Sequence, residues 1–231
     1  MTYVISDLHG YPVKDFKRLL KTAGFGEEDE CFVLGDVIDR GKEGAELLEW
    51  LLGCPNIYLI LGNHEAMLLS CKFFFEEITD ESVSSITADQ LSSLAAWLSN
   101  GGQTTLQGLA RMDKETRGRI LEYLEEAPLY EQVTVLGQDY LLTHSGLGGY
   151  LRGRQIEDYT PEELLFNRPH PKEGYQEPYV TVFGHTPTHL LDPAYAGRVL
   201  FTDTWICIDT GSSFGMAPTL LRLEDRAQFR L

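Results

Sequence analysis

Five times along this chain a short apolar run stops at a cluster of polar residues that can bind a cation or an anion. Tyr3-Val-Ile5 leads into Asp7-Leu-His-Gly10, and Cys31 to Leu34 into Gly35-Asp-Val-Ile-Asp-Arg-Gly41. Ile57 to Leu61 leads into Gly62-Asn-His-Glu65, Tyr140 to Thr143 into His144-Ser-Gly146, and Val180 to Phe183 into Gly184-His-Thr186. Runs of this length, apolar at successive positions, read as core strands buried on both faces. Open α/β folds bind ligands outside the carboxyl ends of such strands, where all five polar clusters would lie.

The segments between the first three strands carry helical patterns. Pro12 to about Ala23 places Phe16, Leu19 and Leu20 on one face, with Gly24 and Gly26 closing it. Glu43 to Leu52 begins with acidic residues suited to the positive end of a helix dipole. Three strand–helix units in a row predict a layered α/β fold. From about 66 to 130 the pattern turns helical throughout, over Met67–Phe75, Asp89–Leu98 and Lys114–Glu125, with Gly101-Gly102 as a break. This stretch is expected to be a helical insertion beside the site, within a single domain spanning 1–231, and no cluster in it suggests chemistry. Further strands are expected at Val133–Leu136, Trp205–Ile208 and Thr219–Leu223, and loops around a short Pro161–Phe166 helix over 148–178.

Composition narrows the class. With 35 acidic against 19 basic side chains the net charge is −16, which argues against broad binding to nucleic acid or to an anionic membrane surface. A phosphorylated ligand is not excluded, because bound divalent metals reverse the local field. The four cysteines (Cys31, Cys54, Cys71, Cys207) lack CxxC spacing and read as reduced thiols. The amino terminus enters a strand without the basic and apolar regions of a signal peptide, and no apolar stretch is long enough to span a bilayer. A cytoplasmic enzyme is the expectation.

The strand ends together offer Asp7, His9, Asp36, Asn63, His144 and His185. This mix of hard oxygen and imidazole donors suits Mn, Fe or Zn. Asp36, central in the order, is the natural carboxylate to bridge two ions. His170 and His189 fall outside every motif and read as surface or loop residues, and Asp209-Thr-Gly211 as a structural turn.

Taken in order, Asp7-Leu-His9, Gly35-Asp-Val-Ile-Asp-Arg-Gly41, Gly62-Asn-His-Glu65, His144-Ser-Gly146 and Gly184-His-Thr186 resemble the signature of the calcineurin-like metallophosphoesterases. The full Gly-Asp-x-x-Asp-Arg-Gly block is similar to the phosphoprotein phosphatase branch, which includes small bacterial and phage protein phosphatases. The resemblance implies a four-layer α/β/β/α sandwich and two divalent metals, Mn foremost with Fe or Zn as alternatives. It implies Asp7, His9 and Asp36 as ligands of the first metal, and Asp36, Asn63, His144 and His185 as ligands of the second. It further implies in-line attack by hydroxide held between the ions, with His64 as general acid and Asp39 orienting it. Arg40 and Asn63 would contact the phosphoryl group together with a later arginine. Arg152, Arg154 and Arg168 are the candidates, and Leu164-Leu-Phe-Asn-Arg168 best matches the family pattern. Three departures are Leu61, where eukaryotic phosphatases carry arginine, Ser145, where a small residue or glycine is common, and Thr186-Pro187 in place of a second histidine.

Three functions are compatible with these residues. The first is a serine/threonine or dual-specificity protein phosphatase, whose partner is a phosphorylated protein or small phosphoester. The second is a hydrolase of dinucleoside polyphosphates such as diadenosine tetraphosphate. The third is a non-catalytic phosphoprotein-binding module, which should have lost a ligand or the acid; every one is present.

Overall fold

The computed structural model describes residues 1–75, 85–170, 174–175 and 178–231. Parts of the expected insertion (76–84) and of the expected 148–178 loops (171–173 and 176–177) lie outside the described residues.

Two five-stranded sheets form the frame. The first runs β10(Gln228–Phe229)-β9(Leu220–Arg222)-β1(Thr2–Ile5)-β2(Glu30–Val33)-β3(Ile57–Leu59), with β1, β2 and β3 parallel. The second runs β4(Tyr130–Val135)-β5(Gln138–Thr143)-β6(Val180–Phe183)-β8(Trp205–Cys207)-β7(Leu200–Phe201), with β5, β6 and β8 parallel. Antiparallel strands occupy both edges of the second sheet and one edge of the first.

Side-chain alternation along each strand explains why the runs are apolar throughout. On β2, Cys31 and Val33 enter the core under the helices, while Phe32 and the following Leu34 enter the core between the sheets. On β6, Val180 and Val182 face that inter-sheet core, and Phe183 faces the far side with Trp205 and Cys207. The fold is the expected layered α/β sandwich. Its outer layer over the second sheet is thin among the described residues: two short helices, Pro161–Leu165 and Thr188–Leu191, and loops carrying Tyr159 and Tyr175.

Over the first sheet lie α1(Val13–Ala23), α2(Gly44–Leu51), α3(Asn63–Ser70), α4(Ala88–Trp97), α5(Gln103–Arg111) and α6(Lys114–Glu126). Leu68, Trp97, Leu109, Ile120 and Leu124 from α3 to α6 share one core with Phe16 and Leu47. Thr87 caps α4, its Oγ1 accepting from Gln90 N–H, and Asp113 caps α6 through Thr116 N–H. The expected break at Gly101-Gly102 is present: a π turn, Leu98–Gly102, carries a kink at Gly101, φ 104°, between α4 and α5. The α5 helix lies within the stretch the sequence reads as helical throughout, though no separate element is marked there. The two-residue strands β7 and β10 were not anticipated.

Replacing Leu142, fully buried between the sheets, with alanine is expected to cost about 2–5 kcal/mol. Urea unfolding followed by circular dichroism measures it.

Candidate active site

Asp36 is the centre of the site. It follows β2 in a left-handed conformation, φ 54°, made possible by a neighbouring Gly35 at φ 78° whose missing Cβ lets the loop approach Gly62. A Cβ on Gly35 would stand 2.5 Å from Gly62 Cα. Asp7, His9, Asp39, Arg40 and His185 also have positive φ. Six of the eight non-glycine residues with positive φ among the described residues are therefore ones the sequence picks out as functional. Strain of this kind persists only where the surroundings over-determine it.

Around the buried Asp36 carboxylate, Oδ2 lies 3.7 Å from His9 Nε2 and 3.8 Å from His64 Nε2, and Oδ1 lies 3.5 Å from His144 Nε2. Burial alone would raise its pKa, but the imidazoles of His144, His64, His9 and His185 together hold it well below the usual carboxylate range. Asp7 moves the other way, to about 6, first through burial and then through the charge on Asp36. Burial lowers His9 to about 4 and His185 to about 3, so both are neutral with a lone pair to offer.

The donor set fits cations. His144 Nδ1 is 2.7 Å from the Leu34 carbonyl and donates to it, which leaves Nε2 unprotonated in the neutral ring. That nitrogen stands 2.9 Å from Asn63 Oδ1 and 3.2 Å from His185 Nδ1, which is itself 2.8 Å from the same oxygen. With the His185 proton on Nε2, three acceptor atoms converge here, an arrangement that a bound cation satisfies. His9 Nδ1 faces the Ile38 carbonyl at 3.1 Å, directing its Nε2 lone pair at the carboxylates. Two groups, His9 with Asp36 and His64, and Asp36 with His144 and His185, each bring their ligand atoms within 4.8 Å of one another. The sequence names Asp7 where the first of these groups has His64; Asp7 Oδ1 is 3.9 Å from His9 Nε2. His64 is turned to another partner, its Nδ1 lying 2.6 Å from Asp39 Oδ2. Burial alone would lower the His64 pKa, but the Asp36 charge and the Asp39 hydrogen bond outweigh it and raise the net value.

One cavity of about 340 Å³ is lined by Asp7, His9, Asp36, Arg40, Asn63, His64, Arg168 and His185. His144, fully buried, reaches the same centre from behind. Of the three arginine candidates, only Arg168 lines it. Arg154 instead forks onto Glu163 at 2.8 and 2.7 Å and lies 3.9 Å over the Tyr159 ring, and with Arg152 it borders a separate cavity. Arg40 NH1 is 3.0 Å from His9 Nε2 and its NH2 is 3.2 Å from His64 Nε2. Asp209 also lines the site, and its Oδ1 accepts from Gly211 N–H in the turn the sequence suggested. His189 is half-buried, its ring 5.0 Å from that of Phe214, and is not the surface residue its position outside the motifs implied.

Two contributions escaped the sequence reading. Buried Glu65 accepts four backbone N–H groups, from Asp36 and Val37 at 2.8 Å, Gly62 at 3.1 Å and Ile38 at 3.3 Å. It thereby ties the loop after β2 to the start of α3; its place in Gly62-Asn-His-Glu65 was the available signal. Asp39 is held by Trp97 and Thr105 of the helical insertion, for which the sequence offered no signal.

The calcineurin-like phosphoesterase family model matches residues 2–222. The chain belongs to that family. Members of the family work with two metal ions, and the two His/Asp groups could each hold one. A symmetrical bis(5'-nucleosyl)-tetraphosphatase of Acidovorax is 27% identical over 165 residues, covering 71% of this chain and 47% of that protein. Serine/threonine-protein phosphatase 2 of Salmonella typhimurium is 26% identical over 157 residues, covering 67% of this chain and 63% of that one. Thus the chain spans less than two thirds of the length of these curated relatives. A solved structure of a candidate diadenosine tetraphosphatase shares the fold with TM-score 0.65 at 16% identity, covering 100% of this chain and 92% of its own.

A Cβ at Gly184 would run into the Asp7 carboxylate. Gly184→Ala is expected to push Asp7 aside and lower Mn content after chelation and reloading by tenfold or more, a loss of about 1.4 kcal/mol or greater, read by metal analysis of the dialysed protein. Glu65→Gln puts an NH2 where one of two oxygens accepts backbone N–H groups and should destabilise the fold by about 2–3 kcal/mol, measured by urea unfolding.

Proposed function

We propose that this chain is a metal-dependent phosphomonoesterase of the protein phosphatase type. The observation that carries the reading is the convergence, on one small cavity, of the Asp36-centred donors, the Asp39-backed His64 and two arginines. Asp7, His9 and Asp36 would hold one divalent ion, and Asp36, Asn63, His144 and His185 the other. Mn, Fe and Zn all suit carboxylate, amide and imidazole donors, with Mn preferred. The ions, when bound, supply Lewis acidity toward the attacking water and toward the phosphoryl oxygens.

The chain's own side chains would do the rest. Arg40 and Arg168, both exposed, line the cavity and can grip phosphoryl oxygens with planar forks. Asn63, His144 and His185 carry no negative charge to repel a phosphate dianion. His64, with Nδ1 anchored on Asp39, presents Nε2 to the leaving oxygen as its proton donor. The partner is a phosphorylated protein or a small phosphoester.

A second reading, hydrolysis of dinucleoside polyphosphates, is supported by the Acidovorax relative and by Phe214. This 61%-exposed ring at the cavity rim offers a face to a base. Thr186-Pro187 after the Gly184-His185 pair leans against it, because such hydrolases commonly carry an aromatic there.

Mn-loaded protein should turn over phosphoserine and phosphothreonine peptides with higher kcat/KM than diadenosine tetraphosphate; the reverse order makes the second reading the function. EDTA should abolish turnover, and full activity after chelation would end the metal assignment. His64→Asn should lower kcat on phenyl phosphate, a poor leaving group, by about a hundredfold or more. The loss on p-nitrophenyl phosphate should be much smaller.

A further inference from the structure

Asp39 joins two parts of the chain. It belongs to the loop after β2, yet its carboxylate is fixed from the helical insertion. Trp97 Nε1–H donates to Oδ2 at 2.9 Å, the oxygen that also faces His64 Nδ1 at 2.6 Å. Thr105 Oγ1–H donates to Oδ1 at 2.6 Å, and Asp39 N–H donates back to Thr105 Oγ1 at 2.9 Å. Asp39 and Trp97 are fully buried and Thr105 is 1% exposed, so water does not compete for these bonds.

The π turn between α4 and α5 sets both donors. Gly102 lies against the Trp97 indole; a Cβ there would stand 2.5 Å from Trp97 Cε2 and 2.6 Å from Nε1. Only glycine leaves the ring where its N–H points at Asp39. Gly101, at φ 104°, turns its carbonyl to accept Arg40 N–H at 3.0 Å, and a Cβ on it would meet Arg40 Cγ at 2.8 Å. This turn, kinked at Gly101, brings Trp97 at its start and Thr105 just beyond it to the same carboxylate. π turns inside α-helices occur often at functional positions.

We infer that Trp97 and Thr105 are positioning residues that aim the His64 proton donor by locking the plane of the Asp39 carboxylate. The inference rests on the reading of His64 as general acid given above. A carboxylate with one donor can rotate about its Cβ–Cγ bond; with donors fixed on both oxygens it cannot, and the imidazole inherits that fixed direction. The proposed ligands of the ions come from strand ends and make none of these bonds, so removing them should affect proton donation and leave phosphoryl binding in place.

Phenyl and p-nitrophenyl phosphate, alike in size but not in leaving group, separate the two effects. Wild type, His64→Asn, Trp97→Phe, Thr105→Val and Thr105→Ser are compared at matched Mn loading. Trp97→Phe and Thr105→Val should lower kcat on phenyl phosphate by about tenfold, with a smaller loss on p-nitrophenyl phosphate, unchanged KM and unchanged metal content. Thr105→Ser, which keeps the hydroxyl, should restore most of the lost rate. Near-isosteric Thr105→Val carries the test if Trp97→Phe fails to fold. Selective loss in His64→Asn beside equal losses on the two esters in Trp97→Phe and Thr105→Val overturns the positioning role alone. No loss in either insertion variant, or a loss confined to KM or metal content, overturns it as well. Equal losses in His64→Asn itself overturn the general-acid reading and this inference with it.

Discussion

A carboxylate buried among four imidazoles is unstable unless positive charge or donated hydrogen bonds surround it. Asp36 is such a group, and much of the local architecture answers its demands. Its Oδ1 accepts His64 N–H at 3.0 Å, and its own N–H is held by Glu65. Two loops from neighbouring parallel strands are thereby pinned to each other, and α3 starts where its first residues, Asn63 and His64, face the centre. The parallel order β1-β2-β3 places Asp7, Asp36 and Asn63 along one edge of the first sheet. The packing of the second sheet against it brings His144 and His185 to face them. His185 N–H donates to Asp7 Oδ2 at 2.9 Å, a direct tie between the two sheets at the site.

The strands that deliver these residues were legible because parallel strands buried on both faces leave unbroken apolar runs. Val180–Phe183 is found as expected, and the ends of the others shift by one to three residues. The two-residue edges β7 and β10 have no pattern long enough to read. Helix α5 lies in the stretch read as helical, and the break read at Gly101-Gly102 is there: one glycine faces an indole and the other takes a left-handed turn. The six proposed ligands were legible as a set because each ends a strand. Trp97 and Thr105 were not, since they lie 58 and 66 residues from Asp39 and their role exists only in the folded contact. Arg168 shows an intermediate case. Local pattern favoured it, and the structure separates it from Arg154 by giving the latter Glu163 and Tyr159 as partners.

The helical segment is thus more than a cover over the first sheet. Its apolar side joins the same core as α1 and α2. Two of its polar groups, Trp97 Nε1–H and Thr105 Oγ1–H, turn inward to the Asp39 carboxylate. Membership of the calcineurin-like phosphoesterases accounts for the strand ends. On the proposed reading, the segment after α3 is where such a chain would change how a leaving group is handled without touching the proposed metal donors.

The left-handed backbone at Asp7, His9, Asp36, Asp39, Arg40 and His185 has an evolutionary consequence. Each such residue costs about 1–3 kcal/mol relative to a relaxed backbone, so the site draws on stability provided by the two sheets. Drift toward glycine at these positions would raise thermal tolerance while eroding chemistry, and selection for heat resistance alone would reach these loops early. A thermostable descendant of this chain that kept all six side chains would need compensating gains elsewhere in the fold.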